Sequence, residues 1–184
     1  MSDRSDRICP LEKAGTLDTK IRRWLQNPQK ILKPYIKEGM TVLDFGCGPG
    51  FFSVGLAQMV GESGRVIAAD LQEGMLQKLR DKIKGTELEN RITLHKCEED
   101  KIGITEKVDF VLAFYIVHEV VNKEGLFTEI GTILNPNGQF LIVEPPFHVS
   151  KKAFEETIGK AKAEGFTEVK RPNVLFNKAV VLKK

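Results

Sequence analysis

The most constraining feature of this chain is the stretch Val42–Val54, where an apolar run meets an acid and passes through three alternate glycines into a helix. Val42, Leu43 and Phe45 read as a buried strand interrupted by Asp44. Gly46, Gly48 and Gly50 make a loop, and Phe51, Phe52, Val54, Leu56 and Ala57 supply a helix face to bury. Without Cβ atoms the loop can take positive φ and let a ligand lie against bare backbone at the carboxyl end of the strand.

The rest of the chain repeats the alternation that this unit begins. Strands are predicted at 41–45, 65–69, 92–95, 108–113 and 139–144. Helices are predicted at 52–60, 73–84, 124–134 and 151–163. Asn135-Pro136-Asn137-Gly138 reads as a turn ahead of the fifth strand. Two short strands, 167–170 and 179–182, follow with no helix between them, so they form a hairpin and one of them runs antiparallel. The expected fold is α/β, a Rossmann-like doubly wound seven-stranded sheet, mostly parallel with an antiparallel C-terminal hairpin strand. Residues 39–184 make the main domain. Residues 1–38 read as an N-terminal helical segment, with short helices at 19–25 and 29–36; it either lies over the site as a lid that Trp24 closes or packs as an amphipathic helix on the sheet edge.

Bulk properties remove several classes. With 41% apolar and 29% charged residues the chain reads as a globular protein rather than a disordered one. No apolar run is long enough to cross a bilayer, and the charged N-terminus lacks a secretory apolar core. A net charge of +3, with basic residues scattered among acids, argues against nucleic acid as partner. Three cysteines, Cys9, Cys47 and Cys97, have no paired spacing, which points to a reduced, cytoplasmic protein without a metal site.

Spacing in the loop selects the ligand. Gly-x-Gly-x-Gly is not the Gly-x-Gly-x-x-Gly of dinucleotide sites, and no lysine follows it as in a Walker-type loop. Asp44 would repel a phosphate and suits an ammonium group. The plainer alternative is a structural turn in another Rossmann-like domain. Asp44-x-Gly-Cys-Gly-x-Gly closely resembles the first motif of class I S-adenosylmethionine-dependent methyltransferases of the ubiquinone and menaquinone biosynthesis type. The resemblance runs from about Gly39 to Lys184 and implies S-adenosyl-L-methionine as cofactor.

On that resemblance Asp44, Phe45, Gly46, Cys47, Gly48 and Gly50 surround the methionine end of the cofactor. Asp70, twenty positions after Gly50, accepts hydrogen bonds from the ribose hydroxyls; the alternative is a helix N-cap. Leu71 packs on the adenine edge and Met75 lines the pocket or joins the core. Cys97, Glu98 and Glu99 reach the adenine, with Glu98 as acceptor and Glu99 as backbone donor. Carbonyls at Ala113, Phe114 and Tyr115 face the ammonium.

The acceptor side is less specified. His118 reads as a general base, a substrate-orienting group or a structural cap. Glu144, at the open end of a buried strand, must be solvated or paired, facing substrate or bridging to Arg22 or Arg23. His118 and Glu144 are the catalytic candidates. The exit Ala113-Phe114-Tyr115-Ile116 lacks the Asn/Asp-Pro-Pro-Tyr of amino-base DNA methylation, and no carboxylate cluster suggests Mg²⁺. The expected acceptor is a small molecule, with a protein side chain as the other class. Aminopropyl transfer on the same fold, and a cofactor-binding sensor without catalysis, are the competing functions.

Overall fold

A computed structural model of the chain describes residues 26–184. The elements run α1 (Pro28–Leu32), β1 (Thr41–Phe45), α2 (Phe51–Val60), β2 (Arg65–Asp70), α3 (Glu73–Ile83), a 3₁₀ turn (Glu87–Asn90), β3 (Ile92–Lys96) and β4 (Val108–Phe114). Then come α4 (Lys123–Ile133), β5 (Leu134–Glu144), α5 (Lys151–Ala163), β6 (Thr167–Lys170) and β7 (Lys178–Lys183). The seven strands form one sheet in the order β3-β2-β1-β4-β5-β7-β6. β7 is antiparallel to both β5 and β6, and the other pairs are parallel. This is the expected doubly wound sheet.

Strand sequences explain the two cores. Side chains alternate across the sheet, so neighbouring residues bury on opposite faces. Val42, Val66, Phe110, Leu112 and Leu141 join one core with Leu56, Leu76 and Leu79 from α2 and α3. Leu43, Ile67, Val111, Phe140 and Ile142 join the other with Phe127 and Ile130 of α4 and Phe154 and Ile158 of α5. Continuous apolar strands are thus a direct consequence of helices on both faces.

The chain order reverses direction at β1. β2 and β3 lie to one side, β4 and β5 to the other. Such a switch point opens a crevice at the carboxyl ends of the strands. All the loops discussed below emerge at that end.

Two readings are corrected and one element is added. The helix expected over 29–36 stops after Pro28–Leu32, because Pro34 has no N–H to continue it, and the chain turns through a Tyr35 N–H to Leu32 O bond. The Asn135–Gly138 turn lies inside the span of β5. The ladder to β4 jumps from Val108↔Leu134 to Phe110↔Gln139, and Asn137 takes φ +67°, so the extra residues bulge out without ending the strand. The 3₁₀ turn was not read, although Thr86 caps it by accepting from the Leu88 N–H. The helix expected at 19–25, Trp24 and Cys9 lie outside the described residues.

Candidate functional site

The glycine loop is tied to the end of β2. The N–H groups of Gly46 and Cys47 both donate to Ala69 O, at 2.8 and 3.0 Å. Gly46 has φ +71°, and a Cβ there would lie 2.5 Å from Ile116 Cγ1. Gly50 has φ +80°, and a Cβ would overlap Leu79 on α3. Packing therefore requires these two glycines. Gly48 differs: it has φ +54°, and nothing lies within 4 Å of where its Cβ would be. Its backbone borders open space. Lys82 braces the loop from α3, donating to Pro49 O at 2.6 Å.

Asp70, 8% exposed, closes this cradle. Its Oδ2 accepts from Gly48 N–H at 2.8 Å and its Oδ1 from Gln72 N–H at 2.8 Å. Burial raises the carboxyl above its ordinary value, while the N–H groups of Gln72, Gly48 and Leu71 pull it down. The residue that caps α3 is Gln72, so Asp70 acts as a turn brace rather than as the N-cap. Each carboxylate oxygen accepting one backbone bond retains capacity for a further donor, such as a ribose diol. Bare backbone at Gly48 beside a half-satisfied buried acid fits S-adenosylmethionine.

Other cofactor candidates are distributed around this point. Asp44, 2% exposed, accepts from Ser53 Oγ at 2.5 Å. Ser53 was not singled out, although it lies in the first turn of the helix that follows the loop. Phe45 and Leu71 are half-buried, and Met75 is 2% exposed, a core environment. Cys97 N–H donates to Asp70 O at 3.0 Å, which brings the turn after β3 to the end of β2. Burial pushes the Cys97 thiol up to about 12 and also raises Cys47 well above its ordinary value, helped there by Asp44 and Asp70. Both remain thiols. Glu98 bridges to Lys101 through its backbone, and the Glu98 and Glu99 side chains are exposed.

Ala113 and Phe114 end β4 buried. Phe52 and Phe114 lie 4.3 Å apart between ring centroids, and Phe114 and Tyr115 4.5 Å. An aromatic wall thus runs from the start of α2 to the exit of β4. Tyr115 sits at φ +63°, a costly conformation for an aromatic residue. Its hydroxyl donates to Asn177 Oδ1 at 2.6 Å and accepts from Gln26 Nε2 at 2.7 Å. The sequence reading used only the Tyr115 carbonyl; contacts over such separations leave no local signal.

Beyond Tyr115 the structure brings both catalytic candidates together. His118 Nδ1 lies 2.6 Å from Glu144 Oε2, and the His118 backbone N–H donates to Glu144 Oε1 at 3.0 Å. Glu144 is 2% exposed and the His118 side chain 28%. Arg22 and Arg23, the other suggested partners of Glu144, lie outside the described residues. Burial works to lower the His118 pKa. The hydrogen bond and charge of Glu144 outweigh it, with help from Glu119 and opposition from Lys123, so the imidazole titrates above 6.5. A carboxylate holding Nδ1–H leaves Nε2 as the proton-accepting nitrogen. The His148 ring stands 6.5 Å from that of His118. Among the described residues no three His, Cys, Asp or Glu side chains group as metal ligands.

A family model described as a methyltransferase domain matches residues 36–178. The crystal structure of an S-adenosylmethionine-dependent methyltransferase from Aquifex aeolicus superposes with a TM-score of 0.86 at 29% identity, covering 95% of this chain and 98% of that one. The demethylmenaquinone methyltransferase of Lactobacillus johnsonii is 32% identical over 122 residues, 66% of this chain and 49% of that protein. The ubiquinone/menaquinone biosynthesis C-methyltransferase of Haemophilus ducreyi is 27% identical over 110 residues, 59% of this chain and 42% of that protein. The chain spans less than half the length of these curated relatives.

Proposed function

Because the chain belongs to the class I S-adenosylmethionine-dependent methyltransferases, we propose that it methylates a small-molecule acceptor whose reacting atom arrives protonated, with His118 as the proton acceptor. When bound, S-adenosylmethionine supplies a methyl carbon already activated by its sulfonium. Asp70 and the bare backbone at Gly48 hold the cofactor. Phe52, Phe114 and Tyr115 keep water from the reacting centre. With the donor activated, the protein's remaining tasks are to align the acceptor and remove its proton.

The observation that carries this reading is Glu144. A buried carboxylate is costly unless its oxygens are satisfied. Here both oxygens engage one residue, the backbone and ring of His118. That arrangement fixes the ring, its tautomer and its basicity together, which a cap has no need to do. His118 takes the proton at Nε2 and Glu144 stabilises the resulting imidazolium, as a positioning residue.

The finer reading takes a hydroxylated aromatic ring of the quinol class as acceptor. What supports it is the naming of the relatives, together with an imidazole suited to an acidic phenol or ring proton. The test is transfer of isotopically labelled methyl from S-adenosylmethionine to a panel of small acceptors that includes demethylated quinols. Labelled quinol product, absent with His118→Ala, is the expected result. S-adenosylhomocysteine binding with no transfer to any acceptor, peptides included, would favour a non-catalytic cofactor binder.

A further inference from the structure

Among the described residues five large apolar side chains are exposed, and four of them, Val121, Phe147, Leu175 and Phe176, come from loops at the carboxyl end of the sheet. Phe147 is 96% exposed and Phe176 87%. The two belong to one surface. Glu144 pairs with Lys178 in the β5–β7 ladder, so Phe147 leaves the end of β5 where Phe176 enters β7. Lys178 Nζ joins the loops by donating to Pro146 O at 3.2 Å.

Backbone strain marks the same place. Leu175 has φ +32° and Phe176 φ +60°, consecutive non-glycine residues in a region that costs about 1–3 kcal/mol each. Packing does not offset that cost, since both side chains point to solvent. The turn is held by the Val174↔Asn177 bridge and by the hydrogen bond from the Tyr115 hydroxyl to Asn177. Among the described residues nothing packs on the ring that this strained turn displays.

Charge selects the occupant. Residues 145–152 and 170–178 include Lys151, Lys152, Lys170, Arg171 and Lys178 and contain no Asp or Glu. Glu144, next to the first stretch, is buried against His118, and Glu155 and Glu168, just outside the two stretches, both pair with Arg171, so the four lysines carry the positive character of this surface. Aromatic tips flanked by lysines match the boundary of an anionic bilayer, where rings enter the acyl region and ammonium groups meet lipid phosphates. We propose that the open end of the sheet docks on an anionic lipid surface through Phe147 and Phe176. The site mouth would then face the bilayer. The attachment is peripheral: among the described residues no helix is long and apolar enough to cross a membrane.

The docking does not depend on the methyl acceptor, and its test is independent of activity. The full chain is sedimented with phosphatidylcholine vesicles and with vesicles containing phosphatidylglycerol. Binding to the anionic vesicles, weakened by salt, is expected, with little binding to phosphatidylcholine alone. F147S/F176S should weaken it about tenfold or more, the scale of withdrawing two rings from apolar contact. K151E/K152E should weaken it by well over tenfold. Melting temperature and S-adenosylhomocysteine affinity should be unchanged in both, since these side chains are exposed and outside the cradle. No vesicle binding, or binding indifferent to F147S/F176S, overturns the proposal. So does a dimer in sizing that F147S/F176S converts to monomer, since a second copy would then cover the patch.

Discussion

The two sides of the β1/β4 crevice are built differently. On the β2 side the cradle consists of backbone and one acid: Gly46, Gly48 and Gly50 with Asp70, joined by bonds to Ala69 O and from Gly48 N–H. On the β4 side the site consists of side chains reaching across the fold: His118 to Glu144, Tyr115 to Asn177, Gln26 to Tyr115. A cofactor shared by a family is gripped by features that any member can carry in a short local pattern. On the proposed reading the acceptor side draws on residues 26, 115, 118, 144 and 177, which are brought together only by the fold. The difference implies that the two sides can be damaged separately.

The largest separation is expected from His118→Ala. Turnover should fall by ~10²–10⁴-fold while S-adenosylhomocysteine affinity, measured by calorimetry, stays near wild type. A rise in KM alone would reduce His118 to an orienting group. The reverse separation is expected from Asp70→Ala. Affinity should fall by about 1–3 kcal/mol as hydrogen-bonding partners are left unmet, with turnover at saturating cofactor largely retained. Unchanged affinity would leave Asp70 as a brace for Gly48 and Gln72 only.

Two glycines sharpen the comparison within the cradle. Gly46→Ala must both adopt a left-handed backbone and displace Ile116, so it should lower stability by about 1–3 kcal/mol in denaturant unfolding. Gly48→Ala meets no neighbour and carries only the backbone term, about 1–2 kcal/mol. Its larger effect should be on cofactor binding, because the new methyl group occupies open space. Equal binding losses for the two would mean that the open face at Gly48 is not where the cofactor lies.

How much of this was legible in the sequence divides along the same line. The strand–helix alternation, the terminal hairpin and the glycine loop were readable because continuous apolar runs between helical-period segments and Gly-x-Gly-x-Gly are local patterns. Asp70 was readable from its distance to the loop. His118 and Glu144 were each singled out, but their pairing was not, because twenty-six residues and a helix separate them. Tyr115 as a side-chain hub, with Gln26 and Asn177, had no local signal at all. Where the reading of structure went wrong, at 33–36 and 135–138, proline and asparagine chemistry was present but a β-bulge absorbed one signal and Pro34 ended a helix early. The lid expected over 1–38 is described only from Gln26 onward.

The smallest effect concerns pH. His118 titrates above 6.5 because Glu144 favours its charged form. The activity limb set by its deprotonation should therefore lie above the ordinary histidine value, with activity rising as pH increases through it. Glu144→Gln should move that limb to lower pH and reduce the plateau. Stability follows the opposite direction. Since the folded value exceeds the unfolded one, the pair's contribution is fully present below about 6.5 and is lost as pH rises through the folded value. Urea midpoints of wild type and Glu144→Gln across that window check the sign.

The claim that cofactor binding and proton removal belong to separate sides is tested most directly by a double-mutant cycle. Methyl transfer is measured as kcat/KM for wild type, Asp70→Ala, His118→Ala and the double variant with one acceptor. Additive losses, to within about 0.5 kcal/mol, are predicted for residues that share no hydrogen-bond partner. A coupling above ~1.5 kcal/mol would contradict the account and make the crevice a single cooperative unit.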